Sequence, residues 1–294
     1  MSSPQAALSV DFEYFTHLPA YRGARGTTDL PAVGLDGVTS LLDAFERADA
    51  TGTFFTVGEI ADANPRVLRR IADAGHEIGS HTQTHRHLSE ISESERSEEI
   101  ETSKARLEAA TDSEVVGFRA PSFDTGPDHF GTLADCGYEY DSSVVPCRSI
   151  PGWYGGEHET ELPSPATEID PAAPAGFAEV PVSVMPGLRL PLTGTWIRFF
   201  GVRYTILGMR LLARSGIPPV LYVHPWELVD LPAVEGVPRR VYVRTGDYMR
   251  SAVRRILAEP FEFVTTGDLA ARVGSPPAGT TASKSTDTAP PGSE

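Results

Sequence analysis

Two carboxylates stand close together near the start of the chain, in the segment SVDFEYF. Asp11 and Glu13 are two residues apart, and side chains at i and i+2 of a strand point to the same face. Both acids can therefore enter one site, with Phe12 directed away from it. The alternative is a strand end with solvated acids, and the pair alone does not decide between the two.

A histidine cluster follows in the segment HTQTHRH. His81 and His85 are four residues apart, which on a helical turn places both imidazoles on one side, as a Zn²⁺ site requires. A third imidazole, His87, lies two residues further on. Glu13 or Asp11 would complete a set of two histidines and one carboxylate, with open positions for water and substrate. A solvated histidine-rich loop is the alternative, and the sequence favours the divalent metal.

Further polar residues stand at the ends of later apolar runs. Arg119, in GFRAPSF, is either a surface arginine beside a turn or a fixed cation that keeps a catalytic carboxylate ionised. His224, in VLYVHPWEL, is either a rim residue or a general acid or base. Trp226 and Glu227 follow directly, and we expect both to contact substrate, although Trp226 can equally be a core residue. Asp141, in YEYDSS, is a weaker catalytic candidate that would hold a histidine in position.

The segments between these residues alternate between strand-like and helix-like patterns. Strands are expected at Ala6–Phe12, Thr53–Val57, His76–Ser80, Val115–Arg119, Tyr138–Asp141, Glu179–Val184, Val220–His224 and Phe261–Thr265. Helices lie between them; Ser92 and Glu95 form the capping box of one, and another runs from Trp196 to Arg214. Alternating strands and helices imply a mainly parallel sheet. Seven or eight such units favour an irregular (β/α) barrel, whose active site lies at the C-terminal ends of its strands.

The whole folded part is expected to be a single domain. It covers residues 1–274, and an irregular excursion at 147–178, rich in proline and glycine, lies over one face of the barrel. Active-site walls are often built from such segments. Residues 275–294 are rich in Ser, Thr, Pro and Ala, which predicts a disordered tail.

The charge balance is strongly acidic. Lys plus Arg is 25 and Asp plus Glu is 40, which gives a formal net charge of −15. No basic cluster is large enough for a nucleic-acid partner. Since Lys104 and Lys284 are the only lysines, the surface suggests a halophilic protein. A GC-rich genome that favours arginine codons is the alternative.

The N-terminal residues contain neither a basic region nor a long apolar region, so no signal peptide is expected. The apolar stretch from Trp196 to Val223 contains four arginines, which argues against a membrane span. Cys136 and Cys147 are expected to be buried thiols, with one bond between them as the alternative. We therefore expect a cytoplasmic protein. Its oligomeric state is not predicted.

The order of these motifs resembles that of a known family. D-x-E, H-x-x-x-H, R-x-P and a late V-H-P look like the polysaccharide deacetylases of carbohydrate esterase family four, the NodB-homology proteins. The resemblance covers residues 7–272 and rests on SVDFE, GTFF, HEIGSHTQTH, FRAP, YDSS and YVHPWE taken together. It implies an irregular (β/α) barrel that removes acetyl groups from N-acetylated sugars with a divalent metal. The form is similar to the branch found in exopolysaccharide gene clusters.

The resemblance also implies roles for individual residues. Asp11 matches the catalytic base, His81 and His85 match two metal ligands, Arg119 matches the arginine that steadies the base, and His224 matches the general acid.

The first motif departs from the family pattern. Many members have two adjacent aspartates, whereas this chain has Phe12 at the second position, and Glu13 is the nearest substitute ligand. Zn²⁺ is the expected metal, with Co²⁺, Mn²⁺ or Ni²⁺ as alternatives. Ser122 is expected to contact substrate, and a backbone N–H near it would help the metal to hold the oxyanion.

Two alternative functions stay open. One is a C–N hydrolase of a small cyclic amide or ureide on the same fold, since such relatives often dispense with the metal. The other is a non-catalytic glycan-binding protein that keeps the barrel. Acetate release from N-acetylated oligosaccharides separates all three functions.

Overall fold

Strands and helices alternate along the chain in the computed structural model, which describes residues 3–24, 33–150, 155–156 and 158–273. The strands are β1 (Gln5–Phe12), β2 (Thr53–Thr56), β3 (Glu77–Ser80), β4 (Gly117–Phe118), β5 (Tyr140–Asp141), β6 (Ser164–Pro165), β7 (Ala178–Glu179), β8 (Val220–Val223) and β9 (Glu262–Val264). The α-helices are α1 (Pro19–Arg22), α2 (Leu35–Ala48), α3 (Gly58–Ala63), α4 (Pro65–Asp73), α5 (Glu93–Thr111), α6 (His129–Asp135), α7 (Gly194–Phe200), α8 (Val202–Arg214), α9 (Asp247–Leu257) and α10 (Thr266–Ala270).

The strands form one sheet in the order β6-β7-β5-β4-β3-β2-β1-β8, and β9 pairs with the first half of β1. All pairs are parallel except β6 with β7. The segment after β7 bridges the two sides of the sheet, because the N–H of Val182 donates to Val144 O (2.9 Å) and that of Ser183 donates to Val220 O (2.8 Å). The predicted irregular (β/α) barrel is therefore confirmed.

Strand β1 is covered by other elements on both faces of the sheet. Every residue of β1 after Gln5 is buried, as expected for a strand that is covered on both faces. Leu8, Val10 and Phe12 belong to the main hydrophobic cluster, together with residues of the surrounding helices. Phe12 therefore points away from the side chains that flank it, as the alternation along the strand predicts.

The helix signals in the sequence act as expected at two places. Ser92 caps α5, since its Oγ accepts the N–H of Glu95 (3.4 Å) and the Glu95 carboxylate accepts the N–H of Ser92 (2.9 Å). Helix α4 begins at Pro65, and Gly75 follows its end with a φ of +83°. That left-handed conformation is the one in which glycine commonly ends a helix.

Two predicted elements differ from the structure. The single helix expected from Trp196 to Arg214 is two helices, α7 and α8, separated at Gly201, which has a φ of +89° and a ψ of +157°. The helical pattern of side chains continues across this break and hides it. The strand expected at Glu179–Val184 shortens to the two residues of β7, because the chain then leaves that strand to close the barrel.

The predicted excursion at 147–178 is described in part, and β6 and β7 begin and end within or beside it. The predicted tail at 275–294 lies outside the described residues. Cys136 and Cys147 do not form a disulfide with each other. Among the helices that the structure describes, none is both long and apolar enough to cross a bilayer.

Candidate active site

A cavity of about 730 Å³ opens at the C-terminal ends of the strands. Eight of the side chains singled out in the sequence line it: Asp11, Glu13, His81, His85, His87, Ser122, His224 and Trp226. The other three, Arg119, Asp141 and Glu227, are fully buried outside its lining. The barrel therefore gathers most of the predicted residues at one rim.

Three buried donors form a compact group in this cavity. One ligand atom from each of Glu13, His81 and His85 lies within 4.8 Å of the others, and His85 Nε2 is 2.5 Å from Glu13 Oε2. His81 Nδ1 lies 2.7 Å from the carbonyl oxygen of Arg119. It donates there, which leaves Nε2 as the lone-pair nitrogen and fixes the ring as outer hydrogen bonds fix metal ligands. Two imidazoles and one carboxylate fit a divalent cation such as Zn²⁺.

The two histidines meet by a route that differs from the predicted helical turn. They lie in the loop after β3, where Thr82 and His85 have φ values of +61° and +58°. Arg22 holds this loop by donating to the carbonyls of Thr84 (2.9 Å) and His85 (3.1 Å). The imidazole centroids are 5.0 Å apart at 69°. The shared site predicted for them is therefore present, but a loop with left-handed residues builds it.

Asp11 lies outside the three-donor group and pairs with a buried arginine. Its Oδ1 accepts a hydrogen bond from Arg119 Nη1 at 2.6 Å. The same nitrogen donates to Ser9 Oγ (2.8 Å), and the rest of the guanidinium binds the carbonyl and hydroxyl oxygens of Ser142 (3.0 and 2.8 Å). The Phe55 ring lies against the guanidinium, with its centroid 4.2 Å away. A charge-assisted hydrogen bond to so rigid a cation fixes the position of the Asp11 carboxylate.

The protonation states suit metal binding. Burial raises the pKa of Glu13, but the adjacent imidazoles of His85, His224 and His81 lower it by more. The net effect is that the pKa of this carboxyl lies well below its usual range. Burial lowers the pKa of His81 to about 4 and keeps it neutral near pH 7. An ionised carboxylate and a neutral imidazole are the forms that bind a metal.

His224 lines the same cavity and lies beside Glu13. Its Nδ1 lies 3.3 Å from Glu227 Oε2 and its Nε2 lies 3.7 Å from Glu13 Oε1. Glu227 is in turn held by Arg198, whose Nε donates to Oε1 at 2.7 Å. Burial lowers the pKa of His224, but the hydrogen bond and charge of Glu227 raise it more, so it lies above its ordinary value.

The structure assigns contacts to Glu227 and Trp226 that the sequence did not predict. Glu227 is fully buried, contacts His224 and does not line the cavity, whereas the sequence predicts that it contacts substrate. Trp226 lines the cavity, but its ring stacks on that of His224 (4.9 Å, 24°) and its Nε1 donates to Glu13 Oε1 at 3.0 Å. It therefore holds two other site residues in place.

Asp141 also differs from its predicted place. It binds His129 Nε2 (3.0 Å) and Ser143 Oγ (2.6 Å), and it lies beside the carboxyl of Glu179. It does hold a histidine, but that histidine lies outside the lining of the cavity. The catalytic role of Asp141 stays a prediction, and in the structure its carboxylate binds His129 and Ser143.

Ser122 lies on the cavity wall at a strained turn. Ser122 and Phe123 have φ values of +54° and +59°, which residues other than glycine rarely adopt. The Ser122 hydroxyl is 3.2 Å from His87 Nε2. Strain of this kind is concentrated at functional sites.

Sequence reasoning missed several supporting residues. The contact of Ser9 with the site could have been predicted, because Ser9 is two residues before Asp11 and shares its face of β1. Arg198 gave no signal, since it lies in a predicted helix 29 residues from the Glu227 that it binds. His17 stacks on His85 (5.8 Å, 11°), and its position in the sequence does not indicate that contact.

Two family models match the chain. Residues 29–140 match the model described as polysaccharide deacetylase, and residues 142–271 match one described as a domain of unknown function. The boundary between the matches falls inside one continuous sheet, at the end of β5. The site draws on both, because His81 and His85 lie in the first match and His224 lies in the second.

Curated relatives match part of the chain. A peptidoglycan-N-acetylglucosamine deacetylase of Bacillus cereus is 37% identical over 66 residues, which cover 22% of this chain and 24% of the relative. A chitooligosaccharide deacetylase of Sinorhizobium fredii is 31% identical over 98 residues, which cover 33% of this chain and 46% of the relative. The chain thus spans less than half the length of these relatives.

Solved structures share the fold over nearly the whole chain. A Mycobacterium smegmatis protein assigned to the polysaccharide deacetylases superposes with a TM-score of 0.64 at 22% identity, covering 93% of this chain and 95% of its own. An allantoinase superposes with a TM-score of 0.62 at 18% identity, covering 91% and 89%. At these identities the likeness establishes the barrel and leaves the chemistry to the site.

Proposed function

We propose that this chain, whose residues 29–140 match the polysaccharide deacetylase model, hydrolyses the N-acetyl groups of an N-acetylated carbohydrate. The observation that carries the proposal is the meeting of three arrangements in one cavity. These are the donor group of Glu13, His81 and His85, the carboxylate of Asp11, and the imidazole of His224.

The donor group is the part of the site that would hold a metal. Glu13, His81 and His85 would bind one divalent cation, for which Zn²⁺ is our first choice and Co²⁺, Mn²⁺ or Ni²⁺ are alternatives. Such a cation polarises a carbonyl and lowers the pKa of water.

Asp11 would act as the general base. Its carboxylate takes the proton from the attacking water, whose oxygen then bonds to the acetyl carbon. Arg119 orients that carboxylate through the 2.6 Å hydrogen bond. A backbone N–H near Ser122 would hold the oxyanion, as preorganised donors do in acyl transfer.

His224 would act as the general acid. The C–N bond breaks as the amine nitrogen receives a proton from Nε2, and the products are acetate and a free amino sugar. Glu227 fixes the ring through Nδ1, which leaves Nε2 directed at the cavity. An amide needs this step, because an unprotonated amine is a poor leaving group.

A panel of substrates tests the proposal. We expect acetate release from N-acetylated chitooligosaccharides by the metal-loaded chain, and no release by Asp11→Asn. Hydrolysis of a cyclic ureide without acetate release would favour the alternative C–N hydrolase. Binding of the oligosaccharide without hydrolysis of either substrate would favour a glycan-binding protein. The cytoplasmic location and halophilic character stay predictions.

A further inference from the structure

Charge is distributed unevenly along this acidic chain. It has 40 acidic residues, yet none stands between Glu179 and Glu227. The same interval contains five arginines: Arg189, Arg198, Arg203, Arg210 and Arg214. Helices α7 and α8 lie inside this interval and carry four of the five arginines; Arg198 is buried against Glu227, and the other three are exposed.

Aromatic side chains form a row along these two helices. The rings of Trp196 and Phe200 stack with centroids 5.4 Å apart, and those of Phe200 and Tyr204 are 5.1 Å apart. The spacing of four residues continues across the break at Gly201. Phe200 is 53% exposed, as is Leu207, which lies three residues after Tyr204 on α8.

Exposed apolar side chains gather around this row. The large apolar side chains that are exposed among the described residues are Leu162, Leu188, Phe200, Leu207 and Val243. Two of them lie on α7 and α8, and two more lie on segments bonded to these helices. Tyr204 donates to the carbonyl of Leu190, beside Leu188 (3.2 Å), and Arg198 donates to that of Val243 (3.3 Å). Such clustering marks an interaction surface, whereas scattered exposed leucines do not.

Two cations flank Leu207. Arg203 lies four residues before Leu207 and Arg214 lies seven residues after it, so all three share one side of α8. Both arginines are exposed. Neither has a carboxylate within 4.0 Å among the described residues, whereas Arg210 pairs with Glu259 at 2.6 Å. We name Trp196, Phe200, Arg203, Tyr204, Leu207 and Arg214 the α7–α8 surface.

We propose that the α7–α8 surface binds the face of a membrane that contains anionic lipids, with α8 lying in the interface. Aromatic and leucine side chains beside arginines are typical of helices that lie at the boundary between headgroups and acyl chains. A second copy of this chain fits less well. A two-fold contact places the same patch against itself, and the arginines would then face arginines in an interval without acids.

The position of the α7–α8 surface connects it with the site. Thr195, Arg198 and Phe199, on the turns before and beside Phe200, line the cavity. A bound membrane would therefore lie next to the mouth of the cavity. A glycan carried on a lipid would meet the site there; this consequence rests on the proposed function, whereas the binding itself does not.

Vesicle sedimentation tests the proposal with the full chain. Vesicles of phosphatidylcholine and phosphatidylglycerol in equal parts are compared with phosphatidylcholine alone, at about 0.1 M salt, where the Debye length is about 10 Å. We expect binding to the anionic vesicles. The double variant Phe200→Ser/Leu207→Ser should lose about tenfold or more of that binding, because two apolar contacts are removed. Leu162→Ser, which alters a side chain that is 48% exposed elsewhere, should bind like the wild type.

A second pair of variants tests the charge. Arg203→Gln/Arg214→Gln should weaken binding to anionic vesicles and bind no worse than wild type at about 1 M salt, where the Debye length is about 3 Å. Arg47→Gln/Arg272→Gln removes two exposed arginines elsewhere and should change nothing. All variants should keep the melting temperature and any acetate release of the wild type on soluble substrate.

Three results would overturn the proposal: no binding of the wild type at either salt concentration, equal binding by the serine pair and Leu162→Ser, or a dimer in solution that the serine pair dissociates. The last result would assign the surface to a second copy of the chain. Vesicle binding is read without catalysis, so an inactive wild type would sink the proposed function and leave this test intact.

Discussion

His224 with Glu227 and His129 with Asp141 are both buried histidine–carboxylate pairs in one barrel, and they differ in what the imidazole faces. His224 uses Nδ1 for its carboxylate, and its Nε2 lies 3.7 Å from Glu13 in the cavity. His129 uses Nε2 for its carboxylate (3.0 Å), and its ring packs against Phe118. The first pair can pass a proton to a ligand, whereas the second pair holds two elements together.

The charges behind the two carboxylates differ as well. Arg198 binds Glu227 and helps to lower its pKa against the effect of burial. Asp141 has a second carboxyl, Glu179, beside it. Burial and Asp141 raise the pKa of Glu179 well above its ordinary value. A buried histidine beside an acid therefore indicates catalysis only when its other nitrogen reaches a cavity.

The largest expected effect is on metal content. His81→Ala and His85→Ala should each lose stoichiometric divalent metal and acetate release, because each removes one of three donors. His129→Ala should keep its metal, since it removes a histidine of the structural pair. Elemental analysis of the purified variants measures this. Equal metal content in all three variants would contradict the assignment of His81 and His85, and not His129, as metal ligands.

The next effect separates activity from stability. Glu227→Gln should lower kcat/KM for acetate release by about 10- to 100-fold, as loss of an outer partner of a site residue commonly does. Asp141→Asn should leave kcat/KM within about twofold of wild type and lower the free energy of unfolding by about 1–3 kcal/mol, as a buried hydrogen-bond partner is lost. Steady-state kinetics and denaturant unfolding give both quantities. A large kinetic loss in Asp141→Asn would place both pairs in the catalytic machinery.

Salt should act on the exposed carboxylates and leave both buried pairs alone. We expect the melting temperature to rise between about 0.01 M and 1 M salt, as the Debye length falls from about 30 Å to about 3 Å. The repulsion comes from the excess of 40 acidic over 25 basic residues. Glu227→Gln and Asp141→Asn should show the same rise as wild type. A flat or falling melting temperature would count against a surface adapted to salt.

The smallest effect concerns pH. Because the folded chain keeps Glu179 protonated above its ordinary pKa of 4.5, it binds a proton that the unfolded chain has released. Stability is therefore lost as pH rises from about 4.5 toward the raised value. Glu179→Gln keeps the shape without titrating, so its melting temperature should fall less than that of wild type as the pH rises above about 5. Parallel curves would show that Glu179 is ionised in the folded chain.

Much of the site could be predicted because its signals are local. Asp11 and Glu13 share a strand face by alternation, and Arg119 and His224 each end an apolar run that is easily read as a strand. Since parallel strands end at one rim, these positions imply proximity without knowledge of the fold.

The rest depends on contacts that spacing does not encode. Arg198 reaches Glu227 only because α7 packs beside the turn after β8. His85 enters the site from a left-handed backbone conformation, and the sequence does not indicate that conformation because the residue is not a glycine. Asp141 stands at a strand end like the side chains that line the cavity, but β5 directs it to His129 on α6. Position on a rim therefore predicted the set of candidates better than it predicted their partners.

Activity of the Asp11 and His224 variants on two kinds of substrate tests most directly whether Asp11 is the base and His224 the acid. Loss of a general acid or base typically costs about 10²- to 10⁴-fold in rate. His224→Ala should show that loss on an N-acetylated sugar and far less on nitrophenyl acetate, whose leaving group needs little protonation. Asp11→Asn should lose activity on both substrates. Equal losses by both variants on both substrates would contradict the assignment of His224 as the acid, and amide hydrolysis retained by Asp11→Asn would contradict that of Asp11 as the base.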